Sequence, residues 1–89
     1  MKDKFNELFR LSYNIQLGVE LTDEESERFV ELYDMAKEFI SNIKNDYAAE
    51  CLTKRYINAM TWAEIADDMG QFTEDSVRKC ASRTIQRYS

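Results

Sequence analysis

The chain has 89 residues and a formal net charge of −5, with 12 Lys and Arg side chains against 17 Asp and Glu side chains. This length suits one domain with a modest core, and a hydrophobic content of 44% excludes a disordered chain. The absence of histidine and of any Cys-x-x-Cys motif excludes the usual zinc sites and Cys-His or Ser-His catalytic pairs. We therefore expect a single domain, residues 1–89, with no enzyme activity, metal or cofactor.

The turn-forming residues are too few for a β-rich fold, since proline is absent and glycine occurs only twice. This composition predicts an all-α protein of about five helices. We expect an acidic, antiparallel helical hairpin in residues 1–44, packed on a helix-turn-helix subdomain in residues 45–89. No apolar run approaches the length of a signal peptide or a membrane span, so we expect a cytoplasmic protein without membrane contact, with Cys51 and Cys80 as reduced thiols.

The first two predicted helices make up the hairpin. The first covers residues 3–17 and stops at Gly18, and a capping box in residues 22–25 starts the second, which runs to about residue 43. The second helix has a wide apolar stripe: Phe29, Val30, Leu32, Tyr33, Ala36, Phe39, Ile40 and Ile43. Such a stripe exceeds what one neighbouring helix covers. It predicts packing on both the first helix and the C-terminal half, and it leaves a homodimer open as an alternative.

Three shorter helices follow. Asn45 or Asp46 caps the third, over residues 47–58, and a second capping box, Thr61-x-x-Glu64, starts the fourth at residue 62. The fourth helix ends at Gly70, and the fifth spans residues 73–88. On the fifth helix one face is predicted to be buried: Val77, Cys80, Ala81, Thr84, Ile85 and Tyr88. A short helix, a glycine turn and a basic helix are typical of a helix-turn-helix, whose second helix enters the DNA major groove.

The charges are divided unevenly along the chain. Residues 1–50 carry six basic and twelve acidic side chains, whereas residues 76–89 carry four basic side chains and no acidic one. Contact with nucleic acid is therefore expected only at the fifth helix, since the rest of the surface repels phosphate. Its candidate DNA-binding side chains are Ser76, Arg78, Lys79, Ser82, Arg83, Gln86 and Arg87.

Residues 51–89 contain a set of residues typical of a known family: Leu52, Arg55-Tyr56-Ile57, Thr61-Trp62-x-Glu64-Ile65-Ala66, Met69-Gly70 and Thr73-Glu74-Asp75-Ser76-Val77-Arg78-Lys79. With these residues the segment resembles the fourth region of bacterial sigma factors, and especially small sigma-like helix-turn-helix proteins of bacteriophages and mobile elements. The resemblance implies that Glu74, Asp75, Ser76, Arg78 and Lys79 approach bases and phosphates. It also implies that Ile65, Ala66, Met69 and Val77 build the core between the two helices.

Two functional hypotheses follow from these patterns. The first is a small transcription regulator that reads duplex DNA with the helix of residues 73–88, alone or with host RNA polymerase. The second is a phage or mobile-element inhibitor or adaptor that binds a host polymerase or a nucleic-acid-guided defence nuclease. Its partner-binding surface would be an acidic stripe on the second helix: Glu24, Glu27, Glu31, Asp34 and Glu38.

Overall fold

The computed structural model describes residues 1–70 and 72–88, which form five α-helices and no strand. The helices are α1 (Lys2–Gln16), α2 (Asp23–Ser41), α3 (Asp46–Leu52), α4 (Trp62–Met69) and α5 (Glu74–Tyr88). A π-helical segment, Thr53–Ile57, directly continues α3. The predicted all-α class with five helices is therefore confirmed. Among the helices of the described residues, none is both long and apolar enough to cross a membrane.

Helices α1 and α2 form the predicted antiparallel hairpin. Gly18 follows α1 with a φ of +80°, and at the start of α2 the Thr22 hydroxyl and the Glu25 carboxylate each accept the other's backbone N–H, both at 3.1 Å. Arg28 of α2 donates to both carboxylate oxygens of Glu7 of α1, at 3.0 and 3.2 Å. Arg10 lies 3.8 Å from Glu25. Glu7 pairs with Arg28, whereas Arg10, later in α1, pairs with Glu25, earlier in α2. This order shows that the two helices run antiparallel.

The main core draws on both halves of the chain. The Phe5 ring lies at its centre, 5.1 Å from the Phe39 ring and 4.8 Å from the Tyr56 ring between centroids. The other buried residues of this core are Leu8, Leu11, Leu32, Ala36, Ile43, Ala48, Leu52, Ala81 and Ile85. The wide stripe on α2 thus packs largely within the monomer, although Val30 remains 57% exposed.

The third predicted helix is not a regular α-helix throughout. Asn45 caps it by accepting the Ala48 N–H at 3.1 Å, but the hydrogen-bond pattern widens after Leu52. At the end of the π-helical segment the Asn58 N–H donates to the Thr53 carbonyl, five residues earlier, at 3.0 Å. The prediction of one helix over residues 47–58 was wrong in this detail, because hydrophobic periodicity does not distinguish a short π-helical segment from an α-helical turn.

The connection from the π-helical segment to α4 contains a left-handed residue. Ala59 has a φ of +55°, the only positive φ among the described residues other than glycines. An L-residue in this conformation costs about 1–2 kcal/mol. The Ala59 side chain is buried at 2% exposure, so its burial offsets part of that cost. The predicted capping box then starts α4, with the Thr61 N–H donating to Glu64 at 2.9 Å and the Glu64 N–H to the Thr61 hydroxyl at 3.2 Å.

A second, smaller core joins α4 to α5. Ile65 and Val77 are buried there with Cys51 of α3, and Ala66 and Met69 pack around them. Gly70, with a φ of +77°, ends α4 and donates its N–H to the Ala66 carbonyl at 3.0 Å. Ala81 and Ile85, farther along α5, belong to the main core. Helix α4 therefore packs against the first turn of α5 through Val77, while Ala81 and Ile85 pack in the main core.

One side chain connects the hairpin, the π-helical segment and α4. The Arg55 guanidinium carbon lies 3.5 Å from the Phe9 ring centroid and 4.1 Å from the Trp62 ring centroid. Its Nη1 donates to the Met60 carbonyl at 3.2 Å. Burial lowers the pKa of Arg55, and no carboxylate forms an ion pair with it among the described residues. We name this arrangement the Arg55 stack.

Replacing Arg55 with lysine tests the Arg55 stack. Lysine keeps the charge but loses the planar guanidinium that covers both rings, and cation–π contact at a desolvated site contributes up to about 2 kcal/mol. We expect Arg55→Lys to lower the free energy of unfolding by about 1–2 kcal/mol, measured by urea denaturation. The same substitution at the exposed Arg10 is the matched control and should change stability by less than about 0.5 kcal/mol. Equal losses in the two variants would contradict a stabilising stack.

The backbone conformation at Gly70 makes a second prediction about stability. A Cβ at this position would meet no atom within 4 Å, so the positive φ alone should penalise a side chain. We expect Gly70→Ala to cost about 1 kcal/mol, because glycine adopts this positive φ without strain and alanine does not. Thermal unfolding measures the loss. A loss of less than about 0.3 kcal/mol would rule out a backbone penalty at this position.

Candidate nucleic-acid interface

The side chains predicted to contact DNA all project from the side of α5 that faces away from the core. Six of them are exposed and Ser82 is half-buried: Ser76, Arg78, Lys79, Ser82, Arg83, Gln86 and Arg87. On the opposite side of the helix Val77, Ala81, Thr84 and Ile85 are buried. Folding thus gathers the seven side chains on one surface, which we name the α5 face.

The positions on the α5 face follow from the 100° rotation per residue in an α-helix. Lys79, Arg83 and Gln86 lie along its centre. Arg78 lies toward a cleft between α5 and the start of α1, whereas Arg87 lies toward a groove between α5 and the start of α3. The centre of the face therefore carries two cations four residues apart, and each flank adds one more.

An acidic residue at the start of α5 forms ion pairs with two of the four cations and offsets one of their two positive charges. Asp75 accepts from Arg78 Nη2 at 2.5 Å and lies 2.9 Å from Lys79 Nζ. Hydrogen bonds, the stronger from Lys79 and the weaker from Arg78, hold the pKa of Asp75 below its ordinary value. These three side chains are 52–60% exposed, so the pairs are weak and can be exchanged for phosphate contacts. Asp75 therefore lowers the positive potential of the α5 face but does not prevent its cations from contacting phosphates.

The other two cations, Arg83 and Arg87, border the groove at the start of α3. They form no ion pair with any side chain that the structure describes. The groove has a volume of about 390 Å³. Its aromatic lining includes Tyr47 and Phe72, whose ring centroids are 4.5 Å apart, and Tyr88. Tyr88 was predicted on the buried face but is 39% exposed, although its ring lies 6.4 Å from the Phe39 ring between centroids.

The start of α1 adds a cation that the sequence analysis missed. Lys2 donates from Nζ to the Ser82 hydroxyl at 3.1 Å, and it also borders Gln86. Lys2 and Ser82 are 80 positions apart in the chain. No pattern in the sequence pairs them, since the contact depends on how the hairpin packs against α5. One flank of the α5 face is therefore formed by the N-terminal helix.

The acidic stripe of the alternative hypothesis is also exposed along its length. Glu24, Glu27, Glu31, Asp34 and Glu38 all lie on the solvent side of α2, opposite the buried Leu32 and Ala36. At 1.5 Å per residue the stripe extends over roughly 21 Å. Arg28 contacts only Glu31 of this set, at 3.2 Å, so most of the negative charge faces solvent. This surface has the opposite charge to the α5 face.

Two further side chains with reactive groups, Cys51 and Asp68, lie in the second core and in an ion pair, respectively. The Cys51 thiol is buried in the second core, where burial and the neighbouring Cys80 raise its pKa to about 11, so it is protonated at neutral pH. Asp68 pairs with Lys54, which also contacts Glu50 at 3.6 Å. In the part of the chain that the structure describes, no three His, Cys, Asp or Glu side chains are grouped as metal ligands.

Comparison of the chain with protein-family models, with curated proteins and with solved structures found no match. The resemblance of residues 51–89 to the fourth region of sigma factors therefore stays a prediction from the sequence. The physical properties of the α5 face and of the acidic stripe are what support a function.

Proposed function

We propose that the protein is a small regulator of transcription that binds duplex DNA by placing the α5 face in the major groove. The observation that carries this proposal is the position of all seven predicted side chains on one surface of α5, with none in the core. Arginine and lysine contact phosphates and guanine edges, and serine and glutamine supply further hydrogen bonds to the DNA. The α5 face therefore has the stock of side chains that groove binding needs.

The packing of α4 supports the same proposal. In a helix-turn-helix the first helix crosses the DNA backbone and holds the recognition helix at a fixed angle. Here the capping box at Thr61, the left-handed Gly70 and the contact between Ile65 and Val77 hold α4 against the first turn of α5. The Thr73 hydroxyl accepts the Ser76 N–H at 3.1 Å and starts α5 at a defined residue. Both helices are thus fixed relative to each other before DNA binds.

The charge distribution limits how such a protein can bind. The chain carries −5 overall, and Asp75 neutralises cations on the α5 face itself. Non-specific attraction to the phosphate backbone should then be weak. We infer that tight binding depends on a matching operator or on assistance from a protein partner such as RNA polymerase.

The central cations provide a direct test by loss of affinity. We expect Lys79→Ala/Arg83→Ala to weaken duplex binding and to reduce the slope of log affinity against log salt by about 2, because each phosphate contact contributes about 0.9. Fluorescence anisotropy with labelled duplexes selected from a random pool measures both quantities. The control, Lys37→Ala/Lys44→Ala, removes the same charge from exposed positions within α2 and after its end. Coinciding curves for the wild type and the α5 variant, or no duplex binding at low salt, would refute groove reading.

Asp75 provides the complementary test by gain of affinity, which misfolding cannot imitate. Replacing it with asparagine releases Arg78 and Lys79 and removes a negative charge near the DNA. We expect Asp75→Asn to tighten duplex binding at low salt by about fivefold, equivalent to about 1 kcal/mol. Asp34→Asn makes the same change of charge on α2 and should change the affinity by less than twofold, or about 0.4 kcal/mol. Equal effects of both variants would show that only net charge matters.

A second function is supported by the acidic stripe on α2. Five exposed carboxylates at helical spacing suit a partner with a basic surface, such as a protein that itself binds nucleic acid. On this proposal the protein is an inhibitor or an adaptor that binds a host polymerase or a nucleic-acid-guided defence nuclease.

Titration calorimetry with purified host RNA polymerase and with a purified guided nuclease tests this second function. We expect Glu27→Gln/Glu31→Gln/Asp34→Asn to weaken a complex at least tenfold, or about 1.4 kcal/mol. A variant with the same charge change elsewhere, Glu20→Gln/Glu50→Gln/Asp67→Asn, should leave it within twofold, or about 0.4 kcal/mol. Equal weakening by both variants, or no complex with either protein, would count against the stripe as a docking surface.

A further inference from the structure

Four cationic side chains converge on the cleft between the start of α1, the π-helical segment, α4 and α5. They are Lys2, Arg55, Arg78 and Lys79, and we name the site the cationic cleft. Its volume is about 270 Å³. Asn6 and Ser82 add hydrogen-bonding groups, Tyr56 and Trp62 add aromatic rings, and no Asp or Glu belongs to the lining. In a chain with a net charge of −5, this concentration of positive charge is unexpected.

Arg55 distinguishes the cleft from an ordinary basic surface. Its guanidinium is held between the Phe9 and Trp62 rings, donates to the Met60 carbonyl and interacts with the Tyr56 side chain. The Arg55 Nε is buried without a hydrogen-bond partner. Arg55 also forms no ion pair with any carboxylate of residues 1–70 and 72–88. A partly desolvated cation without a counter-ion is costly, and an anion in the cleft would compensate its charge.

The other cations are arranged so that an anion can recruit them. Lys2 already donates to Ser82 across the cleft at 3.1 Å, so α1 and α5 hold its two sides together. Arg78 and Lys79 are paired with Asp75, but all three are exposed, and such pairs contribute little to stability. A ligand with two negative charges and several acceptor oxygens can compete for both of them, because charge-assisted hydrogen bonds to phosphate are strong.

We propose that the cationic cleft binds the phosphate group of a small molecule, such as a phosphate monoester. The volume accommodates a single phosphate with a small attached group. The fixed guanidinium of Arg55 supplies preorganised donors, while Lys2 and Lys79 close around the oxygens from two helices. The cleft shares Arg78, Lys79 and Ser82 with the proposed DNA contact, whereas Arg83 and Arg87 do not line it.

The position of the cleft implies a consequence of occupancy. Its lining comes from α1, the π-helical segment, α4 and α5, so a bound phosphate would join the hairpin to the helix-turn-helix. Ligand that binds only the folded state raises the free energy of unfolding. We therefore expect phosphate to raise the melting temperature as well as to occupy the site.

Trp62 is the only tryptophan, so its fluorescence reports directly on the cleft. The probes are inorganic phosphate and AMP, with sodium chloride at matched ionic strength as the reference. We expect both probes to change the Trp62 emission saturably below about 10 mM, a range set by an affinity near 1 mM. Equal affinities would support recognition of the phosphate alone, and tighter binding of AMP would support an added contact with its ring.

Variants identify the cations. Lys2→Gln/Lys79→Gln should weaken binding of both probes at least about tenfold, since it removes two charge-assisted donors. Lys37→Gln/Lys44→Gln is the matched control and should change affinity by less than about twofold, because neither side chain lines the cleft. Both altered lysines of the cleft are exposed, so circular dichroism should show an unchanged fold. Equal affinities for the two variants would overturn the proposal.

Two further outcomes would also overturn it. The first is an emission change that is linear in probe concentration, or that sodium chloride reproduces. The second is a saturable change with duplex DNA but none with phosphate or AMP, which would make the cleft part of the DNA-binding surface. Conversely, phosphate binding that persists when no duplex binds would support the cleft while refuting DNA recognition by α5. The two proposals can therefore fail separately.

Discussion

The Arg55 stack is the contact on which the arrangement of the two halves depends. Phe9 belongs to the hairpin and Trp62 begins α4, so the guanidinium between them connects parts of the chain that share no short-range pattern. The π-helical segment places Arg55 there, while Tyr56, next to it, remains buried in the main core. The wider turn of the π-helical segment thus lets Arg55 face the two aromatic rings while the adjacent Tyr56 faces the main core. The cationic cleft lies at this junction, since Arg55 and Trp62 both line it.

The surface of the protein is divided into areas of opposite charge. Carboxylates line the solvent side of α2, whereas the cations of the C-terminal half gather on α5 and in the cationic cleft, together with Lys2. Asp75 moderates the positive area by pairing with Arg78 and Lys79. A protein built in this way resists indiscriminate attraction to polyanions, because most of its surface repels them. Selective contact through a small positive area is consistent with both DNA recognition and phosphate binding.

Much of the fold could be predicted because the signals are local. The capping boxes at Thr22 and Thr61 started helices where expected, and Gly18 and Gly70 ended them with positive φ. Hydrogen bonds and backbone conformations of this kind involve residues within one helical turn, so a short stretch of sequence specifies them. The position of Asp75, three and four residues before its two partners, was equally readable from the sequence. Ala59 is the exception, because it adopts a positive φ that the sequence would predict only for glycine.

The sequence by itself determined the all-α class, the five helices and the side of α5 that carries the polar and cationic side chains, because helical periodicity separates buried from exposed positions. Only the tertiary structure decided that Lys2 meets Ser82, that Arg55 lies between two aromatic rings, and that Ala81 and Ile85 join the main core instead of α4. The physical reason is that these contacts join residues far apart in the chain. They depend on the angles at which whole helices pack, and periodicity within one helix carries no information about those angles.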